Sequence, residues 1–157
     1  MKKIDLGQVL QTLGSVAVLA GILLLVYELN QNRAMMAAQI RNSMAQANAT
    51  LIQNEAHNPE VLDLTMRGME GESLTPLEQA QFSLIWAAYF QLWENTHYQY
   101  RVGLFDAMEY ESQTKAWTRL LSQPGIRELW CSPRGQGEGS TLFVAEVDQL
   151  LGDDGCE

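Results

Sequence analysis

The feature that most constrains this chain is an apolar run close to its N-terminus. Between positions 13 and 26 every residue is apolar or small, and Ser15 has the only hydroxyl group. The wider range 9–29 adds only three polar residues, Gln11, Thr12 and Glu28. As a helix rising about 1.5 Å per residue, such a range crosses a hydrocarbon core of about 30 Å. The run therefore predicts a transmembrane anchor over residues 1–29.

Two other interpretations of this run carry less weight. Lys2 and Lys3 precede it, as in the charged region of a secretory signal peptide. A cleavable signal ends in small residues, whereas Tyr27, Glu28 and Leu29 follow the run here. A buried core helix would need cover on all sides, which the rest of a 157-residue chain can hardly supply. We therefore expect the helix to be retained in the membrane.

Basic residues on the two sides of the run bear on its orientation. Lys2, Lys3 and the terminal amine favour a cytoplasmic N-terminus. Arg33 and Arg41 on the far side partly offset them. We expect a single pass through the inner (plasma) membrane, with the N-terminus in the cytoplasm and the remaining chain in the periplasm.

One face of the predicted anchor carries small residues at a regular spacing. Glycine recurs every seven residues, at Gly7, Gly14 and Gly21, with Ala17 one turn before Gly21 and Glu28 continuing the series. In lipid, small side chains let helix backbones approach closely and gain dispersion contacts. We therefore predict a helix–helix interface formed by Gly7, Gly14, Ala17, Gly21 and Glu28. The alternative is that these glycines reflect only the general composition of membrane helices.

The remaining residues, 30–157, predict a small all-α head domain. Positions 30–55 contain neither proline nor glycine, so the anchor helix should continue as a stalk helix over about 30–56. It carries an apolar stripe at helical spacing, formed by Met36, Ile40, Met44, Ala47 and Leu51. A helical bundle should occupy about 58–151. No stretch alternates between apolar and polar residues with period two, so no strands are expected.

Helix-start signals divide the bundle into elements. Thr75 with Glu78 three residues later predicts a capping box, and Asp106 with Glu109 suggests a second one. Proline at a first-turn position marks further starts. The resulting prediction is helices over about 59–67, 76–102, 106–122, 124–130 and 141–151, with a glycine-rich loop over 132–139.

Charge and cysteine content limit the function. The chain has 10 Lys and Arg against 19 Asp and Glu, a formal net charge of −9, and its basic residues are scattered. Such a chain repels phosphate backbones, so nucleic-acid binding is not expected. Cys131 and Cys156 lack the spacing of a metal or redox motif. They form either one bridge in an oxidising compartment or two free thiols.

Motifs that would indicate catalysis or a cofactor are weak. Glu94 and His97 have the spacing that places two metal ligands on one helix face, but a metal site of this kind needs a second pair. We instead expect His97 on a polar helix flank, near Tyr98 and Tyr100. The series Trp86, Tyr89 and Trp93 at helical spacing is typical of core and, alternatively, of a ligand groove. No catalytic, cofactor-binding or metal-binding residue is predicted, and the chain is not expected to be an enzyme.

Four segments together resemble a diffuse group of bacterial, often marine, single-pass membrane-anchored helical proteins with no assigned function. The segments are 27–32 (YELNQN), 73–78 (SLTPLE), 98–106 (YQYRVGLFD) and 124–130 (PGIRELW). Each is a helix boundary or a packing signal. The resemblance therefore implies an architecture, and it transfers no functional residue.

These observations favour a structural role. We expect a membrane-anchored helical scaffold or accessory subunit that acts through self-association or protein–protein contacts. Its expected partners are the lipid bilayer and either further copies of the chain or a larger membrane protein complex. The alternative is a ligand-binding or sensory module, in which the aromatic central helix and the 132–139 loop border a pocket.

Overall fold

A computed structural model describes residues 6–132, 139–152 and 156 of the chain. In these ranges it contains helices and no strands, which confirms the predicted all-α fold. The helices are α1 (Leu6–Ala56), α2 (Pro59–Met69), α3 (Pro76–Arg101), α4 (Ala107–Leu121), α5 (Pro124–Cys131) and α6 (Thr141–Leu151). Most of the predicted 132–139 loop lies outside the described residues.

The chain divides into two compact units, Met1–Gln39 and Ile40–Glu157. The predicted boundary between anchor and head, after residue 29, falls inside the first unit. In this unit α1 is exposed along its described length from position 9 to position 36. By length and composition α1 is able to cross a membrane, and none of its apolar window is buried.

The second unit begins with the last turns of α1, which contact α3 and α4. Arg41 Nη2 lies 2.7 Å from Glu109 Oε1 on α4, and Glu55 is hydrogen-bonded to Tyr89 on α3. Of the predicted apolar stripe, Met44 is buried, Ile40 and Leu51 are half-buried, and Met36 and Ala47 are exposed. The predicted stripe is therefore covered only in part.

Side-chain caps mark the starts of α3 and α4. The Thr75 hydroxyl accepts a hydrogen bond from the N–H of Glu78, whose carboxylate accepts one from the N–H of Thr75, so this capping box is confirmed. Asp106 accepts hydrogen bonds from two N–H groups at the start of α4. The second capping box is only half formed: Asp106 accepts the N–H of Glu109, but the Glu109 carboxylate pairs with Arg41.

An ion pair links α2 to the start of α3. Arg67 Nη2 lies 2.6 Å from Glu78 Oε1, and Arg67 Nε lies 2.9 Å from Asp63 Oδ2. The hydrogen bond from Arg67 lowers the pKa of Glu78 to about 2. Glu78 therefore stays ionised, and it serves both as a cap and as a link between two helices.

The core is built around α3. This helix buries Phe82, Trp86, Phe90 and Trp93 along one side against residues of α4, α5 and α6. Trp93 stacks on Trp117 of α4 with a ring-centroid distance of 4.8 Å. Each large apolar side chain buried in this way contributes roughly 1.5–3 kcal/mol. The prediction that the tryptophans of α3 form core is confirmed.

Two further features hold α5 in place. A Cβ atom on Gly125 would lie 1.7 Å from the carbonyl oxygen of Gly68, so only glycine permits this close crossing of α5 over α2. At its other end, α5 is linked by the Cys131–Cys156 disulfide to the segment that follows α6. Of the two states left open by the sequence, the structure therefore has the bridge.

Candidate functional site

The predicted interface residues lie on the exposed surface of α1. Successive glycines are seven residues apart, which leaves each about 20° behind the last around the helix. Gly14 and Gly21 have no atoms within 4 Å of an added Cβ, outside their own helix backbone. Gly7, Ala17 and Glu28 are exposed on the same helix. No described residue of the first unit covers Gly14 or Gly21, and the role of this face as an interface stays a prediction.

A second feature is a polar cluster inside the second unit. His97 on α3 is only 5% exposed, and its Nε2 lies 2.9 Å from Glu146 Oε2 on α6. The Tyr110 hydroxyl of α4 donates a short hydrogen bond to the other oxygen of the same carboxylate. Tyr100 stacks on Tyr110 with a ring-centroid distance of 4.2 Å. One carboxylate therefore links three helices.

The electrostatics of this cluster follow from burial. Burial lowers the pKa of His97 below its ordinary value, and the positive charge of Arg101 acts in the same direction. The carboxylates of Glu146 and Glu94 oppose this shift. Burial and the hydrogen bond to Glu146 raise the pKa of Tyr110 well above its ordinary value. Tyr110 therefore keeps its proton and donates a hydrogen bond to Glu146, and a neutral His97 ring donates from Nε2 to the same carboxylate.

The cluster differs from what the sequence suggested. His97 was expected on a polar flank near Tyr98 and Tyr100, but it is buried against Tyr110 and Phe143. The sequence contains a signal for the burial of His97, because position 97 continues the buried positions 86, 90 and 93 at helical spacing.

Glu94 and His97 do not converge on one point. Glu94 Oε1 accepts a hydrogen bond of 2.6 Å from the N–H of Ser140, at the start of α6, whereas His97 faces Glu146. Among the residues that the structure describes, no group of three or more His, Cys, Asp or Glu side chains is placed to hold a metal ion. The pair is instead used to attach α6 to α3.

A third feature is a groove of about 1090 Å³ on the surface of the second unit. Its lining comes from α3 between Pro76 and Glu94, from Gly68 and the turn after α2, from α5, and from the start of α6. The series Trp86, Tyr89 and Trp93 does not line it. Its aromatic lining comes instead from Phe82, Phe90, Trp130 and Phe143.

We call these three features the anchor face (Gly7, Gly14, Ala17, Gly21 and Glu28), the His97 cluster and the groove. Comparison with protein-family models, curated proteins and solved structures gives no match. The cluster is enclosed and connects helices, whereas the anchor face and the groove are open to other molecules.

Proposed function

We propose that this protein is a membrane-anchored helical scaffold or accessory subunit, which acts through self-association and contacts with other proteins. The observation that carries the proposal is the complete exposure of the apolar part of α1. An exposed apolar helix of this length is stable only in lipid or against other helices. The hydroxyl of Ser15 donates to the carbonyl of Gln11 within the same helix, which suits a segment surrounded by hydrocarbon.

The anchor face supports self-association. Gly14 and Gly21 offer open space where a second backbone can approach, and van der Waals packing of this kind is a main source of helix affinity in lipid. Glu28 continues the face and would lie close to its copies in a symmetric assembly.

The proposed location is the inner (plasma) membrane, with a cytoplasmic N-terminus and the second unit in the periplasm. Lys2 and Lys3 favour this orientation through the excess of positive charge on the cytoplasmic side. The Cys131–Cys156 disulfide supports it too, because such bridges persist in oxidising compartments and are rare in the cytosol.

Cysteine cross-linking in native membranes tests the proposed interface. Gly14→Cys and Gly21→Cys should each give a covalent dimer when an oxidant is added. Val16→Cys and Leu23→Cys are matched controls, because each lies two residues further on and hence about 200° around the helix. Equal cross-linking at all four positions, or at none, would contradict the proposed face.

The alternative function is a ligand-binding or sensory module. The groove along α3 favours it, since Phe82, Phe90 and Trp130 give it an aromatic lining. However, the groove follows α3 from Pro76 to Glu94, a rise of about 27 Å at 1.5 Å per residue. A compact metabolite fills only part of that length, so we place the scaffold function first.

A further inference from the structure

The groove has the length and the lining that suit a helix. The residues of α3 that line it include positions 76, 80, 84, 87, 91 and 94. These positions lie on one face of the helix over about five turns. Ala80, Ser83, Ala87 and Ala88 are small, so a second helix backbone can come close to α3 there. The groove is therefore elongated, and the side chains that line it on α3 include several small ones.

Apolar contacts are available along the same path. Leu84, which lines the groove on α3, is 72% exposed and has little cover from its own chain. Leu74 and Leu129 line the groove from the turn after α2 and from α5. A helix that lays leucine or similar side chains between these walls would remove this apolar surface from water.

The charged residues that line the groove indicate the charge of a partner. The charged side chains among the described lining residues are Glu72, Glu94 and Glu128, and no Lys or Arg occurs in that part of the lining. Glu72 and Glu128 are exposed, on the α2 side and the α5 side of the groove. Glu94 is half-buried and already accepts the N–H of Ser140. The rim thus favours a cationic occupant.

We propose that this groove docks an amphipathic helix of a partner protein, about five turns long, with an apolar face and Lys or Arg on its polar flanks. The proposal deepens the scaffold function and rests on it, because it names the kind of partner that the second unit would recruit. Apolar side chains would enter between α3 and α5, and the basic flanks would meet Glu72 and Glu128.

A designed peptide pair tests this directly. One peptide of about five helical turns has Leu and Ala on one face and Lys on both flanks, and the other has Glu in place of Lys. Fluorescence anisotropy measures the binding of each labelled peptide to the full chain in nanodiscs of zwitterionic lipid, with empty nanodiscs as the blank. We expect the Lys peptide to bind at least tenfold more tightly than the Glu peptide.

Variants locate the binding. Leu84→Asp should weaken the Lys peptide at least tenfold, whereas Met108→Asp, at an exposed residue of α4 outside the groove lining, should leave it unchanged. Glu72→Lys combined with Glu128→Lys should remove or reverse the preference between the peptides. Because all four residues are exposed, the fold should survive, and circular dichroism verifies this.

Several results would overturn the proposal. These are equal affinity for the two peptides, indifference to Leu84→Asp, and displacement of the peptide by zwitterionic vesicles, which would indicate a lipid site. If the wild-type chain is a dimer and Leu84→Asp converts it to a monomer, a second copy of the chain occupies the groove instead. If the peptides do not bind, self-association through the anchor can still be observed. If the chain is monomeric, the peptide-binding measurement is unaffected, so the two proposals can be tested separately.

Discussion

His97 and Glu146 join α3 to α6 through a contact of 2.9 Å between Nε2 and Oε2 in the interior of the second unit. The other ring nitrogen, Nδ1, is buried and has no hydrogen-bond partner among the described residues. A neutral ring with its proton on Nε2 satisfies this arrangement. A second proton would leave a buried N–H without an acceptor, which is costly.

Stability should therefore decrease in acid through His97. Because burial lowers the folded-state pKa, the unfolded chain binds this proton more readily below the ordinary value of 6.5. The contribution of His97 to stability is full above that pH and is lost as the pH falls through the folded-state pKa. We expect a lower unfolding temperature at pH 5.5 than at pH 8, measured by circular dichroism on the full chain in detergent.

Two variants isolate the source of this pH dependence. His97→Gln should reduce the difference between the two pH values, although it also removes the contact with Glu146. His57→Gln, which changes an exposed histidine in the turn after α1, should retain the full difference. An unchanged difference in His97→Gln would show that other groups are responsible.

The close crossing of α2 and α5 should not tolerate a side chain. In Gly125→Ala the new Cβ would lie 1.7 Å from Gly68 O, and backbone has to move to relieve this contact. We expect the free energy of unfolding to decrease by about 3 kcal/mol. Met108→Ala, a change at an exposed residue of α4 in the same unit, is the control. Denaturant unfolding monitored by tryptophan fluorescence measures both, and equal stability of the two variants would refute the crossing.

Removal of the disulfide should also destabilise the second unit. Cys131 and Cys156 are 25 residues apart, and closing a loop of that size stabilises a fold by about 3 kcal/mol. Cys131→Ser with Cys156→Ser should show that loss in denaturant unfolding. In intact cells the wild-type cysteines should resist thiol-specific labelling until a reductant is added. Labelling without reductant would contradict the proposed periplasmic location.

Much of the fold was predictable because its signals are local. Pro59, Pro76 and Pro124 each occupy the first turn of a helix, where a missing N–H costs nothing. The predicted bounds of α6 agree with the structure. These signals act over a few residues, so a single sequence is sufficient to detect them.

The contacts between helices were not predictable in the same way. Glu109 satisfies the local rule for a capping box, yet its carboxylate pairs with Arg41, far away along the chain. Glu94 likewise caps α6 at Ser140, 46 residues further on. Spacing within one helix cannot distinguish a local partner from a tertiary one. The same limitation applies to Glu146, which no local pattern assigns to His97.

The proposed self-association uses the anchor residues Gly7, Gly14, Ala17, Gly21 and Glu28. Glu28→Gln should maintain or strengthen the assembly, because it removes repulsion between carboxylates that symmetry brings together. Glu60→Gln, an exposed change on α2, should leave the assembly as it is. Cross-linking yields at Gly14→Cys in each background measure this effect, and a lower yield with Glu28→Gln would contradict the placement of Glu28 near the axis.

Native mass spectrometry of the full chain in mild detergent measures self-association through the anchor directly. Replacing Gly14 and Gly21 with Leu would insert two bulky side chains where backbones should touch, so dispersion contacts would be lost. We expect an oligomer for the wild type and a monomer for the double replacement, while Val16→Leu with Leu23→Ile on the opposite face should remain oligomeric. A monomeric wild type, or an oligomer indifferent to the Gly14 and Gly21 replacements, would contradict self-association through the anchor.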